Sequence, residues 1–198
     1  MPYRTDEFAA GEFYHVYNRG LAKQKIYMVD RDYERFKESL AELLPKTNLE
    51  LHAYCLMPNH FHLMIRQCGD IVLTELMNRL LGSYAQYFNK KYDRRGNLFE
   101  GRFKVKRIDS DEYALQVSKY IHRNPGEAGL VKRLLEYPWS SYRSYLSDVC
   151  EPFVTTDFNL NYFSRHNSQS DYQQFVEEQF ESERVLKVAD YLIDIEKE

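Results

Sequence analysis

Two apolar-rich runs, Leu49 to Leu56 and Phe61 to Arg66, are joined around Met57-Pro58-Asn59, and this short connection constrains the fold more than any other feature of the chain. Strands so close in sequence pair antiparallel, because a parallel neighbour needs a long crossover. A third strand is expected over Glu12 to Asn18, where Phe13, His15 and Tyr17 alternate with Tyr14, Val16 and Asn18 before Arg19-Gly20 turns the chain. Phe103 to Ile108 reads as a fourth.

Helical signals separate these runs. Asp30 can cap a helix beginning near Arg31, in which Tyr33, Phe36, Leu40 and Leu43 or Leu44 recur at helical spacing until Pro45 closes it. The longest signal runs from about Leu73 to Tyr92, with Leu73, Leu76, Met77, Leu80, Leu81, Tyr84, Tyr87 and Phe88 on one stripe. Asp109 or Ser110 can cap a further helix to roughly His122, terminated by Asn124-Pro125-Gly126. The order strand-helix-strand-strand-helix-strand-helix indicates an α+β sandwich, an antiparallel sheet with helices covering one face, rather than a parallel α/β fold.

At 198 residues, 43% hydrophobic and 15% aromatic, the chain can build one sizeable core. Residues 1–150 are expected to form the main domain and residues 151–198 an acidic, mostly helical extension packed on the same unit. Cys55, Cys68 and Cys150 are odd in number and lack a C-x-x-C pair, so neither a disulfide framework nor a cysteine zinc site is indicated, and a reducing cytoplasm fits. Met1 to Ala10 is polar, and no apolar run approaches the roughly 20 residues that cross a bilayer, so a soluble protein without membrane partners is expected.

The formal charge of -3 hides an asymmetry: Glu151 to Glu198 carries four basic and eleven acidic residues, leaving a net +4 on residues 1 to 150. Within that part Lys90, Lys91, Arg94, Arg95, Arg102, Lys104, Lys106 and Arg107 face only Asp93 and Glu100 in sequence. Phe88, Tyr92, Phe99 and Phe103 interleave with these cations. That pattern suits a surface that neutralises phosphates and stacks unpaired bases, or else a solvated turn whose aromatics belong to the core.

His60 and His62 start the second strand of the hairpin with Phe61 between them. Side chains two apart on a strand share a face, so the two imidazoles can meet one divalent cation while Phe61 points into the core. Tyr120 and Asn124 stand one helical turn apart. A carboxamide oxygen can be a third, harder ligand, and a phenol beside it can reach a metal-bound phosphate. With a reference pKa near 10, the phenol needs a metal, a base or a positive field to act as a nucleophile. The plainer alternative has Tyr120 on the apolar stripe of Tyr113, Val117 and Ile121, and Asn124 as a helix terminator.

The motif set resembles the REP-associated tyrosine transposases, relatives of the IS200/IS605 single-tyrosine transposases in the HUH nuclease superfamily. The resemblance rests on Tyr14-His15-Val16-Tyr17-Asn18-Arg19-Gly20, Met57-Pro58-Asn59-His60-Phe61-His62, Phe99-Glu100-Gly101-Arg102-Phe103-Lys104, Tyr120-Ile121-His122-Arg123-Asn124-Pro125 and Trp139-Ser140-Ser141-Tyr142. Glu100 stands where glutamine is frequent and Gly126 where valine is expected. The resemblance implies a ferredoxin-like antiparallel sheet, with His60 and His62 binding Mg²⁺ or Mn²⁺ and Asn124 as third ligand. It implies Tyr120 as the nucleophile that leaves a 5′-phosphotyrosine and a free 3′-hydroxyl on single-stranded DNA. The implied partner is a palindromic DNA hairpin with a single-stranded foot, bound in the cytoplasm at the nucleoid by a monomer or a homodimer. Contacts to phosphates are expected from the eight cations between Lys90 and Arg107. Two other readings share these features: a palindrome-binding regulator that cuts nothing, and a metal-dependent hydrolase of RNA or a small phosphate ester that activates water instead of Tyr120.

Overall fold

The alternating segment near the N-terminus forms strand β1 (Phe13–Arg19), which lies inside a four-stranded sheet. In the computed structural model, which describes residues 8–69, 73–146, 149–163 and 166–178, β1 pairs antiparallel with β3 (His60–Gln67) and with β4 (Lys104–Ile108). Strand β2 (Leu49–Met57) pairs antiparallel with β3. Helix α1 (Asp30–Leu43) follows β1 and α2 (Leu73–Lys91) follows β3, each carrying the chain over one neighbouring strand. The resulting order β2-β3-β1-β4 is that of a ferredoxin-like sandwich.

The period-two alternation sorts side chains to two cores. Tyr14 and Val16 of β1 and Phe61, Leu63 and Ile65 of β3 share one cluster with Phe36 and Leu40 of α1 and with Met77, Leu80, Tyr84 and Phe88 of α2. Each fully buried side chain of this size contributes about 1.5–3 kcal/mol. Asp32, not Asp30, closes the start of α1: its carboxylate accepts the Met28 and Val29 N–H groups at 2.8 and 3.2 Å. It also accepts from the Tyr87 hydroxyl, the Tyr92 hydroxyl and the Lys91 ammonium at 3.0, 2.6 and 2.6 Å, which ties α1 to α2. Burial raises the Asp32 pKa, but the bonds from Lys91, Tyr92, Met28 and Val29 outweigh it and hold the carboxyl below its usual range.

The opposite face belongs to α3 (Asp111–Glu127), so the helices are divided between the two faces, with α1 and α2 on one. Phe13, Ala53, Cys55, Met57 and Met64 of the sheet meet Ala114, Val117 and Ile121 of the helix. The cause is in β1, where every residue but Arg19 is buried: a strand apolar in both registers needs cover on both sides. Ser110 caps α3, its Oγ accepting the Tyr113 N–H at 3.2 Å. The expected stop at Asn124-Pro125-Gly126 does not occur; α3 runs through Pro125 to Glu127. It ends where Gly129, with φ +68°, enters the left-handed region. Leu130 N–H then donates to Pro125 C=O and Gly129 N–H to Gly126 C=O, both at 2.9 Å, which is the paired bonding of a Schellman motif.

Helices α4 (Tyr142–Leu146), α5 (Asp157–Asn161) and α6 (Ser168–Glu177) follow, and Tyr142, Tyr145, Tyr172 and Val176 form a third cluster. This region is tied to β2 by Thr155 N–H to Leu51 C=O at 2.8 Å and by the Tyr54 hydroxyl on the Glu151 carboxylate. The acidic helix expected towards Glu198 lies, beyond residue 178, outside the described residues. Trp139 stacks on Tyr33 with centroids 4.6 Å apart and Tyr142 is fully buried, so both serve packing. Among the described residues no helix is long and apolar enough to cross a membrane.

Candidate active site

The two-residue turn Pro58-Asn59 sets His60 at the very start of β3, opposite Met57 of β2 and Arg19 of β1. The turn is braced from outside: Pro58 C=O accepts the N–H groups of Ile26 and Tyr27 at 2.9 and 3.2 Å, and Asn59 C=O accepts Gly20 N–H at 2.8 Å. Gly20 is required there, since a Cβ would stand 2.1 Å from the Gln24 carbonyl oxygen. The strand then delivers His60 and His62 to the α3 face, ring centroids 4.9 Å apart, with Phe61 in the opposite core.

Each histidine is oriented through Nδ1. His60 Nδ1 lies 2.7 Å from Asn59 Oδ1, and His62 Nδ1 lies 3.0 Å from Nε2 of His15 on β1. His62 Nε2 is buried with no hydrogen-bond partner among the described residues. Burial lowers the pKa of all three rings: His60 to about 4, with a bond to Asn124 opposing and Arg19 adding, and His15 to about 3, with Lys106 adding. His62 lies well below the usual imidazole value, from burial and then from His60 and His15. All three are neutral at physiological pH, the state in which imidazole binds metals.

Helix α3 brings the other two candidates to the same place. The Tyr120 ring meets His62 edge-on at 5.3 Å between centroids. Asn124 Nδ2 donates to Tyr120 C=O at 2.9 Å, which sets the amide one turn above the phenol, in the same cleft as His60. Tyr120, Asn124 and His60 line a cleft of about 290 Å³, closed on its other sides by Arg19, Lys23 and Glu127 among others. Lys23 is held there by a left-handed backbone, φ +59°. The donor set is two imidazoles and one amide; among the described residues no group of three or more histidine, cysteine or carboxylate side chains is placed to hold a metal by itself. A buried, unpartnered imidazole nitrogen next to a second imidazole, with an amide on the facing helix, fits a divalent cation of borderline hardness.

Between Tyr120 and Asn124 the helix turns His122 the other way, into a polar network that fixes α3. His122 Nε2 lies 2.8 Å from Ser141 Oγ, and Nδ1 lies 2.8 Å from the Tyr172 hydroxyl, which bonds Ser118 Oγ at 3.1 Å. Ser118 Oγ donates to Leu115 C=O at 2.8 Å, and Ser141 Oγ accepts Tyr54 N–H at 2.8 Å. One proton arrangement satisfies every atom: Tyr54 N–H to Ser141, Ser141 to His122 Nε2, His122 Nδ1–H to Tyr172, Tyr172 to Ser118.

Residues 13–124 match the family model described as "Transposase IS200 like". The chain belongs to that family. Among solved structures, a REP-associated tyrosine transposase bound to a REP hairpin is 16% identical, with a TM-score of 0.62 over 79% of this chain and 92% of that one. A candidate transposase of Deinococcus radiodurans R1 is 20% identical, with a TM-score of 0.42 over 61% of this chain and 97% of that one. The first likeness shows the fold. Among curated proteins none matches.

In this IS200-like transposase the eight basic residues separate by face. β4 register puts Lys104 opposite Tyr17 and Lys106 opposite His15, on the histidine face, and Arg107 opposite Tyr14, on the other. Lys91 is committed to Asp32, Arg94 Nη2 to Gln24 Oε1 at 2.7 Å, and Arg107 to Glu12 through two bonds at 3.1 and 2.7 Å. Lys90 and Arg95 are exposed, and Arg102 lines a separate groove of about 600 Å³ between α2 and the segment Gly96 to Phe103. Phe88, Phe99 and Phe103 are buried and the Tyr92 hydroxyl is bound to Asp32, so the interleaved aromatics are core and not a stacking surface. The segment is pinned to the end of β1 by Glu100 N–H on Arg19 C=O at 2.9 Å and by an Arg19–Glu100 ion pair. Glu100 therefore has a structural task at the position where glutamine is frequent. Sequence reading missed His15, Arg19, Lys23, Asn59 and Glu127; the signal for His15 was its place two residues before Tyr17 on a strand facing the histidine pair.

Proposed function

We propose that this transposase is a divalent-metal-dependent single-strand DNA endonuclease and strand transferase that cleaves and rejoins DNA at palindromic hairpin repeats. The observation that carries the reading is the orphaned His62 Nε2, on a buried ring that meets Tyr120 and His60, which line one cleft with Asn124. His60, His62 and Asn124 would hold Mg²⁺ or Mn²⁺, which when bound supplies polarisation of the phosphoryl oxygens and neutralisation of developing charge. Tyr120 Oη attacks phosphorus, a Tyr–O–P bond forms as the P–O3′ bond breaks, the phenol proton departs and the 3′ oxygen takes up a proton. The products are a 5′-phosphotyrosine and a free 3′-hydroxyl. Attack by another 3′-hydroxyl reverses the step, so the phosphodiester is conserved and no nucleotide cofactor is required.

Tyr120 meets His62 of its own chain, which supports a site complete in one protomer. Membership of the transposase family, and a structural neighbour described as bound to a REP hairpin, support a hairpin DNA partner in the cytoplasm at the nucleoid. The test is a denaturing gel of labelled single-stranded hairpins, drawn from repeats flanking its own gene, with wild type and Tyr120→Phe in Mg²⁺, Mn²⁺ or EDTA. A metal-dependent covalent adduct formed only with Tyr120 is the expected result. Tight binding without cleavage by wild type moves the protein to a palindrome-binding regulator, and cleavage that survives in Tyr120→Phe moves the nucleophile to water or another tyrosine.

A further inference from the structure

We propose that His15 is a positioning residue of this site, holding His62 in the tautomer that leaves a lone pair on its buried Nε2; this rests on the metal-dependent reading above. The two rings are 2% and 0% exposed, so no solvent competes for their nitrogens. They stack at 5.1 Å between centroids and 22° between planes, with His15 Nε2 and His62 Nδ1 3.0 Å apart. Strand register builds the contact: Tyr17 stands opposite His62 and Met64 opposite His15, so the two histidines are diagonal neighbours on one face of β1 and β3.

Two neutral rings share one proton between these nitrogens, and the two arrangements differ in what they leave on His62 Nε2. If His15 donated, the His62 proton would sit on Nε2, a buried N–H with no acceptor. An unsatisfied buried donor is among the rarest features of folded proteins. If His62 donates from Nδ1, Nε2 carries a lone pair, which is the form a cation needs. Asn59 Oδ1 does the same for His60 at 2.7 Å, an acceptor that takes the Nδ1 proton. Both histidines thus have an outer partner on Nδ1. Such partners typically raise metal affinity by about 10- to 100-fold through tautomer and ring orientation.

The experiment has two arms. In metal-free wild type labelled with ¹⁵N-histidine, long-range ¹H–¹⁵N correlation reads the tautomer of His62 directly; Nδ1–H is expected, and Nε2–H overturns the proposal whether or not the protein cleaves DNA. In the second arm Mn²⁺ binding is titrated calorimetrically for wild type, His15→Gln, which keeps an acceptor, and His15→Phe, which keeps a planar ring without one. Affinity is expected to fall about 10- to 100-fold in His15→Phe and to be largely restored in His15→Gln. Equal affinity in wild type and a folded His15→Phe overturns the proposal. If wild type itself binds no Mn²⁺ and forms no adduct, the nuclease reading fails, while the tautomer measurement still decides the role of His15. Should His15→Phe fail to fold, the tautomer arm alone decides.

Discussion

Removing a single oxygen, in Tyr172→Phe, tests whether the helix that carries Tyr120 is fixed from behind. The hydroxyl is fully buried and joins α6 to α3 through His122 Nδ1 at 2.8 Å and Ser118 Oγ at 3.1 Å. The phenylalanine ring keeps the stacking on Tyr145, centroids 4.6 Å apart, so the loss is polar and not volumetric. In the proton arrangement that satisfies the network, His122 donates from Nδ1 to this oxygen. The variant leaves that N–H buried and unpaired, a cost of about 1–3 kcal/mol where a net hydrogen bond alone is worth about 1. For a chain of this length about 2 kcal/mol lowers Tm by roughly 4–8 °C. Urea unfolding and thermal melting followed by circular dichroism measure it.

The same variant has a catalytic signature under the nuclease reading. A looser α3 shifts Tyr120 and Asn124 relative to His60 and His62, while Lys104 and Lys106 on β4 are untouched. The adduct-forming rate is expected to fall by about 10- to 100-fold, the range that small misplacement of reacting groups produces, with hairpin affinity unchanged. A cycle with Ser118→Ala should be strongly non-additive, because both changes act on one network. A Tyr172→Phe protein with wild-type urea midpoint and an additive cycle would refute the network as described.

Other changes separate charges that serve the fold from those proposed to meet DNA. Lys91→Ala is expected to cost about 1–3 kcal/mol in urea unfolding, since it strips a partner from the buried Asp32 carboxylate, and to leave the salt dependence of hairpin binding as in wild type; a reduced salt slope would show that Lys91 meets phosphate. Lys104→Ala and Lys106→Ala should each lower the slope of log affinity against log salt by about 1, read by fluorescence anisotropy, whereas a slope unchanged in both would remove the histidine face from the DNA path. His52, buried between Phe13 and Phe158, has its pKa lowered to about 4, chiefly by burial and against Glu50. Below pH 6.5 the unfolded chain takes up that proton before the folded one, so stability is lost as pH falls from 6.5 towards 4. His52→Phe should abolish about 2 kcal/mol of the loss between pH 7 and pH 5; equal acid sensitivity in the two proteins would show that His52 is not the proton acceptor.

What the sequence disclosed was local, and what it concealed was mostly long-range. Alternation and turn chemistry placed the four strands to within a residue or so of β1 to β4, because period two and the Pro58-Asn59 turn act over few residues. The spacing of His60 with His62, and of Tyr120 with Asn124, survives folding for the same reason. Which cations are consumed inside the protein was hidden: Lys91 meets Asp32 from 59 residues away and Arg107 meets Glu12 from 95. The aromatics between the basic residues looked available for bases only because sequence proximity does not say which face a side chain takes. Phe99 and Phe103 are neighbours of Arg102 in the chain and of Phe61 and Tyr84 in space.

The misjudged end of α3 shows how a local rule yields to a stronger one. Asn124-Pro125 reads as a stop, since proline lacks the N–H that would bond Ile121 C=O and disfavours helical backbone at Asn124. Yet the helix continues, and its termination is satisfied three residues later by the bonds to Leu130 and Gly129. Packing decides the outcome: Ala114, Val117 and Ile121 are already buried on the sheet, and Asn124 and Pro125 are buried with them. The consequence falls on the site. Because Asn124 stays helical, it lies one turn above Tyr120, donates to that residue's carbonyl and shares a cleft with His60. A helix that stopped at His122 would leave the amide on a turn with no fixed relation to the phenol. Gly126 fits the same account, since a Cβ there would stand 2.8 Å from Leu134 Cδ2, so a valine at this position requires Leu134 to move before the helix can keep its course.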